Sequence, residues 1–140
     1  MTEQIYPCLW FDGNAKEAAA YYCSIFKNSK IISENPIVVM FEINGTKFMG
    51  LNGGPQFKFN ESTSFVVNCA DQAEIDYYWN SLTAEGEESM CGWLKDKYGL
   101  SWQIVPAVLG KLMNEPEKGQ RVMQAFLKMK KFDIETLVNA

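Results

Sequence analysis

The chain has 140 residues, 47% hydrophobic, 21% charged and 14% aromatic, the proportions of one globular domain and not of a disordered segment. A formal charge of −4 with no dense Lys/Arg stripe argues against a nucleic-acid partner. No run approaches the ~20 apolar residues that cross a bilayer, and Met1-Thr2-Glu3-Gln4-Ile5 lacks a signal-peptide pattern, so no membrane partner and a cytoplasmic location are expected.

The first element is an apolar strand, Ile5 to Phe11, with Pro7 inside it; a proline cannot donate to a ladder and marks an edge or a seam. A helix follows, with Asn14 as expected N-cap, Glu17 in capping-box spacing, and a stripe of Ala15, Ala18, Ala19, Tyr22 and Phe26. Three strand-like runs come next, Lys30 to Ser33, Ile37 to Ile43 and Thr46 to Leu51, the last two joined by an Asn44-Gly45 hairpin turn. The Gly/Pro-containing stretch Asn52 to Asn60 reads as a loop. The pattern then repeats. Thr63 to Cys69 forms a strand, Asp71 and Glu74 cap a helix with the stripe Ile75, Tyr78, Trp79 and Leu82, and strands are expected over Glu88 to Trp93 and Ser101 to Val105 around an Asp96–Gly99 turn. From Pro106 onward the pattern is helical: Val122, Phe126 and Met129 share a stripe, Pro116 suits a helix first turn, and Asp133 opens a last short helix. Lys128, Lys130 and Lys131 are expected to close a helix, where cations complement its dipole. Element order therefore predicts an α+β fold, βαβββ twice, in a single domain 1–140: a first module over 1–52, a second over 63–106 and a helical tail over 107–140.

Pro7 to Ala15, Tyr22 to Phe26, Leu51 to Pro55 and Cys91 to Pro106, with Asp96-x-x-Gly99-x-x-x-Gln103 inside the last, resemble the PhnB-like family, also described as demethylubiquinone methyltransferase-like, of the vicinal oxygen chelate (glyoxalase/bleomycin resistance) superfamily. The resemblance implies paired βαβββ modules curling their sheets around a shared cleft, usually in a homodimer. In metal-using relatives His, Gln or Glu ligands come from the first and last strands of each module. Those positions here are Ile5, Met49, Ser64 and Gln103, or Pro7 and Val66 with the first strands slipped by two. Gln103 alone could coordinate a hard divalent ion, too few donors for a catalytic metal, so no metal and no cofactor are expected. Methyl transfer is not expected either: Gly53-Gly54-Pro55 precedes no helical pattern and Gly13 has no partner glycines.

Without histidine, a Cys or Ser nucleophile would need Lys, Glu or Asp as its base, and no catalytic set is identified. Cys8, Cys23, Cys69 and Cys91 show no CxxC pairing, so reduced and mostly buried thiols are expected; Cys91, beside Gly92 and Trp93, is the most interesting of them. Glu42 reads as a solvated strand residue or a cleft base. Trp79 and Trp102 are expected in the core, while Phe57 and Phe59 either lid the cleft or pack on a partner subunit. The candidate pocket lining is Leu9, Met49, Ser64, Asn68, Gln103 and Phe57. A metal-independent binder of a small apolar or aromatic molecule stands first. An enzyme of lyase, isomerase or dioxygenase type is the alternative. A structural or regulatory dimer with its cleft filled by Met49, Leu9 and Phe11 comes third.

Overall fold

The computed structural model describes residues 4–140. Its chain forms two compact units, the described residues up to Lys58 and then Phe59–Ala140. The first holds β1 (Cys8–Phe11), α1 (Ala15–Ile25), β2 (Lys30–Glu34), β3 (Val38–Ile43) and β4 (Thr46–Asn52). Its sheet runs β1-β4-β3-β2, with β1 parallel to β4 and the other pairs antiparallel. The second repeats this order with β5 (Ser64–Cys69), α2 (Gln72–Thr83), β6 (Glu87–Glu88), β7 (Trp93–Lys95) and β8 (Ser101–Pro106), in a sheet β5-β8-β7-β6. Three short helices follow: α3 (Leu109–Met113), α4 (Lys118–Phe126) and α5 (Ile134–Val138). The expected α+β fold of two βαβββ modules with a helical tail is the one observed.

Within each unit the helix covers one face of its sheet. Ala15, Ala18, Ala19 and Tyr22 are fully buried, and Tyr22 stacks on Phe41, which in turn stacks on Phe48 at 5.6 Å. In the second unit Ile75, Trp79 and Leu82 of α2 are buried with Leu94, Trp102 and Ile104. The strands alternate accordingly, β3 reading half-buried then buried along its whole length.

Local details follow the sequence unevenly. Asn44 and Gly45 both have positive φ, 51° and 82°, as the tight turn between β3 and β4 requires. Asp71 accepts from the Glu74 amide at 2.9 Å, and Glu74 reaches back to the Ala70 amide. Asn14, by contrast, makes no side-chain cap. The first amide of α1, Ala15, donates instead to Asn52 Oδ1 at 2.9 Å, so the cap is supplied from the end of β4. The strand expected from Glu88 to Trp93 is a hairpin: β6 pairs antiparallel with β7, and Ser89–Gly92 form its loop. Cys91 and Gly92 take φ of 60° and 80° there, which no strand tolerates. Pro116 lies before α4, whose N-cap is Glu117, and not in its first turn. The lysine cluster lies beyond α4, which ends at Phe126; Lys131 pairs with Asp76 at 2.7 Å.

Candidate functional site

Alternation leaves one face of each sheet turned away from its helix. In the first unit this open face carries Cys8 and Trp10 of β1, Lys47, Met49 and Leu51 of β4, and Val38, Met40 and Glu42 of β3, placed together by the β1–β4 and β3–β4 registers. Glu42 stands in register between Lys30 and Lys47, a cross-strand charge ladder. Met49 is on this face. Leu9 is not: it pairs with Gly50, points toward α1 and is buried, so it belongs to the core, and so does Phe11. The parity was misjudged because β1 and β4 are parallel and in register at Cys8–Met49, which puts Leu9 opposite in phase to Met49. Leu9 and Phe11 therefore do not fill the open face. Phe57 is 65% exposed and packs edge-on against Trp10 at 4.9 Å, while the Trp10 indole N–H donates to the Gly54 carbonyl.

The open face of the second sheet carries Ser64, Val66 and Asn68 of β5, Ser101, Gln103 and Val105 of β8, Trp93 and Lys95 of β7, and Glu87 of β6. Three expected lining residues, Ser64, Asn68 and Gln103, share it. Gln103 Nε2 donates to Ser64 Oγ at 2.9 Å, so each of the two carry-over positions on this sheet has the other as partner.

At the β6–β7 end of this face lies a cavity of about 470 Å³. Glu61, Glu87 and Glu88 surround it with Lys95, and Met90, Cys91 and Trp93 supply its apolar wall. Ser101 also lines it, 1% exposed, and its Oγ is buried without a hydrogen-bond partner. Glu61 bridges to Lys95 at 3.1 Å, and that hydrogen bond holds its carboxyl below the usual range. Glu88 Oε2 accepts from the Trp79 indole at 2.6 Å and is thereby tied to the core. None of the six lining residues expected from sequence borders this cavity, although Ser101 and Trp93 are the direct register neighbours of Ser64 and Gln103. The missed signal was the pairing across the Asp96–Gly99 turn, which puts Trp93-x-Lys95 and Ser101-x-Gln103 on one face.

That turn has its own logic. Asp96, 3% exposed, accepts from the Tyr98 and Leu100 amides through Oδ1 and from the Trp102 indole through Oδ2 at 2.9 Å. The aspartate of the Asp-x-x-Gly stretch thus builds the β7–β8 connection and anchors a core tryptophan.

Of the thiols, burial pushes Cys8 and Cys23 up, and Cys69 is raised to about 11 by burial, with Glu74 and Asp71 adding to it. Among the described residues no three His, Cys, Asp or Glu side chains are grouped to hold a metal ion. Gln103, committed to Ser64, adds one neutral amide, so the donor set does not fit a catalytic divalent ion. Gly13 stands by itself between β1 and α1, and Gly53-Gly54 follow β4 without a helix after them. No described helix is long and apolar enough to cross a membrane.

The family described as 3-demethylubiquinone-9 3-methyltransferase matches residues 3–105. The PhnB protein from Bacillus cereus is 32% identical, over 75% of this chain and 100% of its own, with a TM-score of 0.68. The protein PA1353 from Pseudomonas aeruginosa, 20% identical over 75% and 98% of the two chains, shares the fold at a TM-score of 0.61. So does the fosfomycin resistance protein FosX from Listeria monocytogenes, solved with Mn(II) and sulfate, at 13% identity over 86% and 97% and a TM-score of 0.59. Comparison with curated proteins gives no match. With its matched family spanning residues 3–105 and the Bacillus cereus PhnB protein 32% identical over its whole length, the chain belongs to the PhnB-like (3-demethylubiquinone-9 3-methyltransferase) family.

Proposed function

We propose that the protein binds a small, largely apolar or aromatic molecule without a metal, on the open face of its second sheet, and works as a cytoplasmic homodimer. The observation that carries this reading is the 470 Å³ cavity, whose lining joins the apolar Trp93 and Met90 to the polar Glu87 and Lys95. Small-molecule sites have this make-up, mostly apolar with a few placed polar groups. Metal independence rests on the donor chemistry: an amide engaged with Ser64 replaces the ionic and imidazole ligands that a divalent ion needs. The homodimer rests on the family resemblance. Native mass spectrometry of the purified protein, with metal analysis on the same sample, tests metal independence and the dimer. A metal-free dimer, with or without an organic adduct, is expected. One tightly held ion per subunit sinks the metal-independent reading, and a monomer sinks the dimer.

One observation favours a second reading, an enzyme using acid/base chemistry: the residues Glu61, Glu87 and Glu88 line the same cavity as Cys91 and Lys95. Glu61 is a poor base while Lys95 holds it ionised, and Glu88 is engaged by Trp79, which leaves Glu87 as the candidate. Conversion of a bound adduct that stops in Glu87→Gln would move this reading ahead.

A further inference from the structure

The open face of the first sheet carries a row of sulfur. Register sets Cys8 of β1 beside Met49 of β4, and Met49 beside Met40 of β3. Residues in register on neighbouring strands hold their side chains about 5 Å apart on one face, so the three form a line roughly 10 Å long. Cys8 is exposed, while Met40 and Met49 are half-buried. Methionine is unbranched and flexible, so both thioethers can close on a point above Met49 that the Cys8 sulfur also reaches. On one side of the row lie Trp10, Leu51 and Val38, all apolar. On the other, Glu42 stands between Lys30 and Lys47, and the Lys47 ammonium also lies over the Tyr6 ring at 4.8 Å. The row itself ends at Ser33 of β2, so it holds no carboxylate and no nitrogen donor. Hard ions need oxygen ligands, whereas thiolate and thioether donors select soft ions such as Cu(I).

We propose that Cys8, Met49 and Met40 form a site for one soft monovalent ion, Cu(I), held by a thiolate and two thioethers. An S–Cu bond replaces the Cys8 S–H bond and the proton leaves to solvent; the ion stays Cu(I), so no electron moves. Met49 is one of the positions at which the resemblance puts a ligand, but Cys8 and Met40 join it through register alone. The site lies on the first sheet, so it stands or falls separately from ligand binding on the second. It does not restore a catalytic divalent ion, which an all-sulfur set of this kind does not favour.

The test titrates the full-length, reduced and copper-free protein with Cu(I) under argon, in competition with the coloured chelator bicinchoninate. The protein should withdraw a single equivalent, and X-ray absorption at the copper edge should show sulfur neighbours only. Equimolar zinc should not displace the ion. Cys8→Ser, at an exposed position, should weaken binding by more than about a hundredfold, since losing even an outer-shell partner costs about 10- to 100-fold. Met49→Leu and Met40→Leu conserve volume and remove only the sulfur, and each should cost about tenfold or more. Cys23→Ser should leave the affinity unchanged. Should Cys8→Ser fail to fold, the two methionine variants decide alone. No copper withdrawn from the chelator overturns the site. So does affinity that survives Cys8→Ser or both methionine substitutions, because other thiols then hold the ion. Nitrogen or oxygen neighbours in the absorption spectrum overturn it too.

Discussion

Ser101 is held as a strand residue between Ser64 and Lys95, so its backbone is satisfied by the ladder while its hydroxyl is not. In the ligand-free protein that hydroxyl is a liability, since burying an unpaired polar atom costs free energy that alanine would not incur. Ser101→Ala is accordingly expected to stabilise the protein by about 1 kcal/mol in urea denaturation. A destabilised variant would mean that the hydroxyl has a partner after all. Cys69 makes the opposite kind of prediction, because here the neutral form is the favoured one. Its thiol is raised from an ordinary 9.0 to about 11 by burial and by Glu74 and Asp71. A group whose folded-state value is raised contributes stability that is complete below the unfolded value and lost as pH climbs through the folded one. The stability gap between the native protein and Cys69→Ala should thus be constant below pH 9 and narrow toward pH 11. Thiol titration at pH 8 should modify exposed Cys8 well before Cys69.

At the scale of single elements, α1 shows how a cap can be chosen from far away. Asn52 accepts from the Ala15 amide and donates its Nδ2–H to the Pro36 carbonyl, joining three segments distant in sequence. Asn52→Ala should cost about 1–2 kcal/mol, the range of a lost cap, whereas Asn14→Ala should stay within about 0.5 kcal/mol; chemical denaturation of both variants checks the pair. The sequence pointed to Asn14 because capping rules are local, and the competing acceptor arrives only through the pairing of β4 with β1. The same distinction separates what was legible from what was not. Periodicity placed α1, α2 and most strands, because a helix stripe or a strand alternation is written in neighbouring residues. The Glu88–Trp93 segment misled because its apolar run Met90-Cys91-Gly92-Trp93 hides two consecutive positive φ values, at Cys91 and Gly92, that only the folded hairpin requires. The site suffered in the same way. Ser64 and Gln103, named through the resemblance, touch one another, while Glu87, Lys95 and Ser101 are brought onto one face only through the β6–β7–β8 registers.

Over the second unit as a body, the helical tail is part of the structure that shapes the cavity. The Cys91 and Gly92 amides donate to the Met129 and Lys130 carbonyls at 2.7 and 2.8 Å, so the wall carrying Met90 and Cys91 is held by the tail's backbone. Gly92 lies so close to Phe132 that a Cβ there would stand 2.4 Å from the ring, and Phe132 itself is buried. Beside the Lys131–Asp76 pair, a second side chain of α2 fastens the tail at this point. Gln72, at the start of α2, donates to the Phe132 carbonyl at 2.9 Å and accepts from the Ile134 amide at 2.8 Å. Both ends of its amide are used, which an ionised glutamate could not reproduce, since it has no hydrogen to donate. Gln72→Glu should therefore cost about 1–3 kcal/mol by leaving the Phe132 carbonyl unpaired beside a carboxylate. Hydrogen exchange should report the loss first at Cys91 and Gly92, whose amides depend on the tail being seated, and ligand affinity should fall although Gln72 lines no part of the cavity. If those two amides keep their protection while stability drops, the tail is not what holds the cavity wall, and the affinity of the variant should then match the native protein.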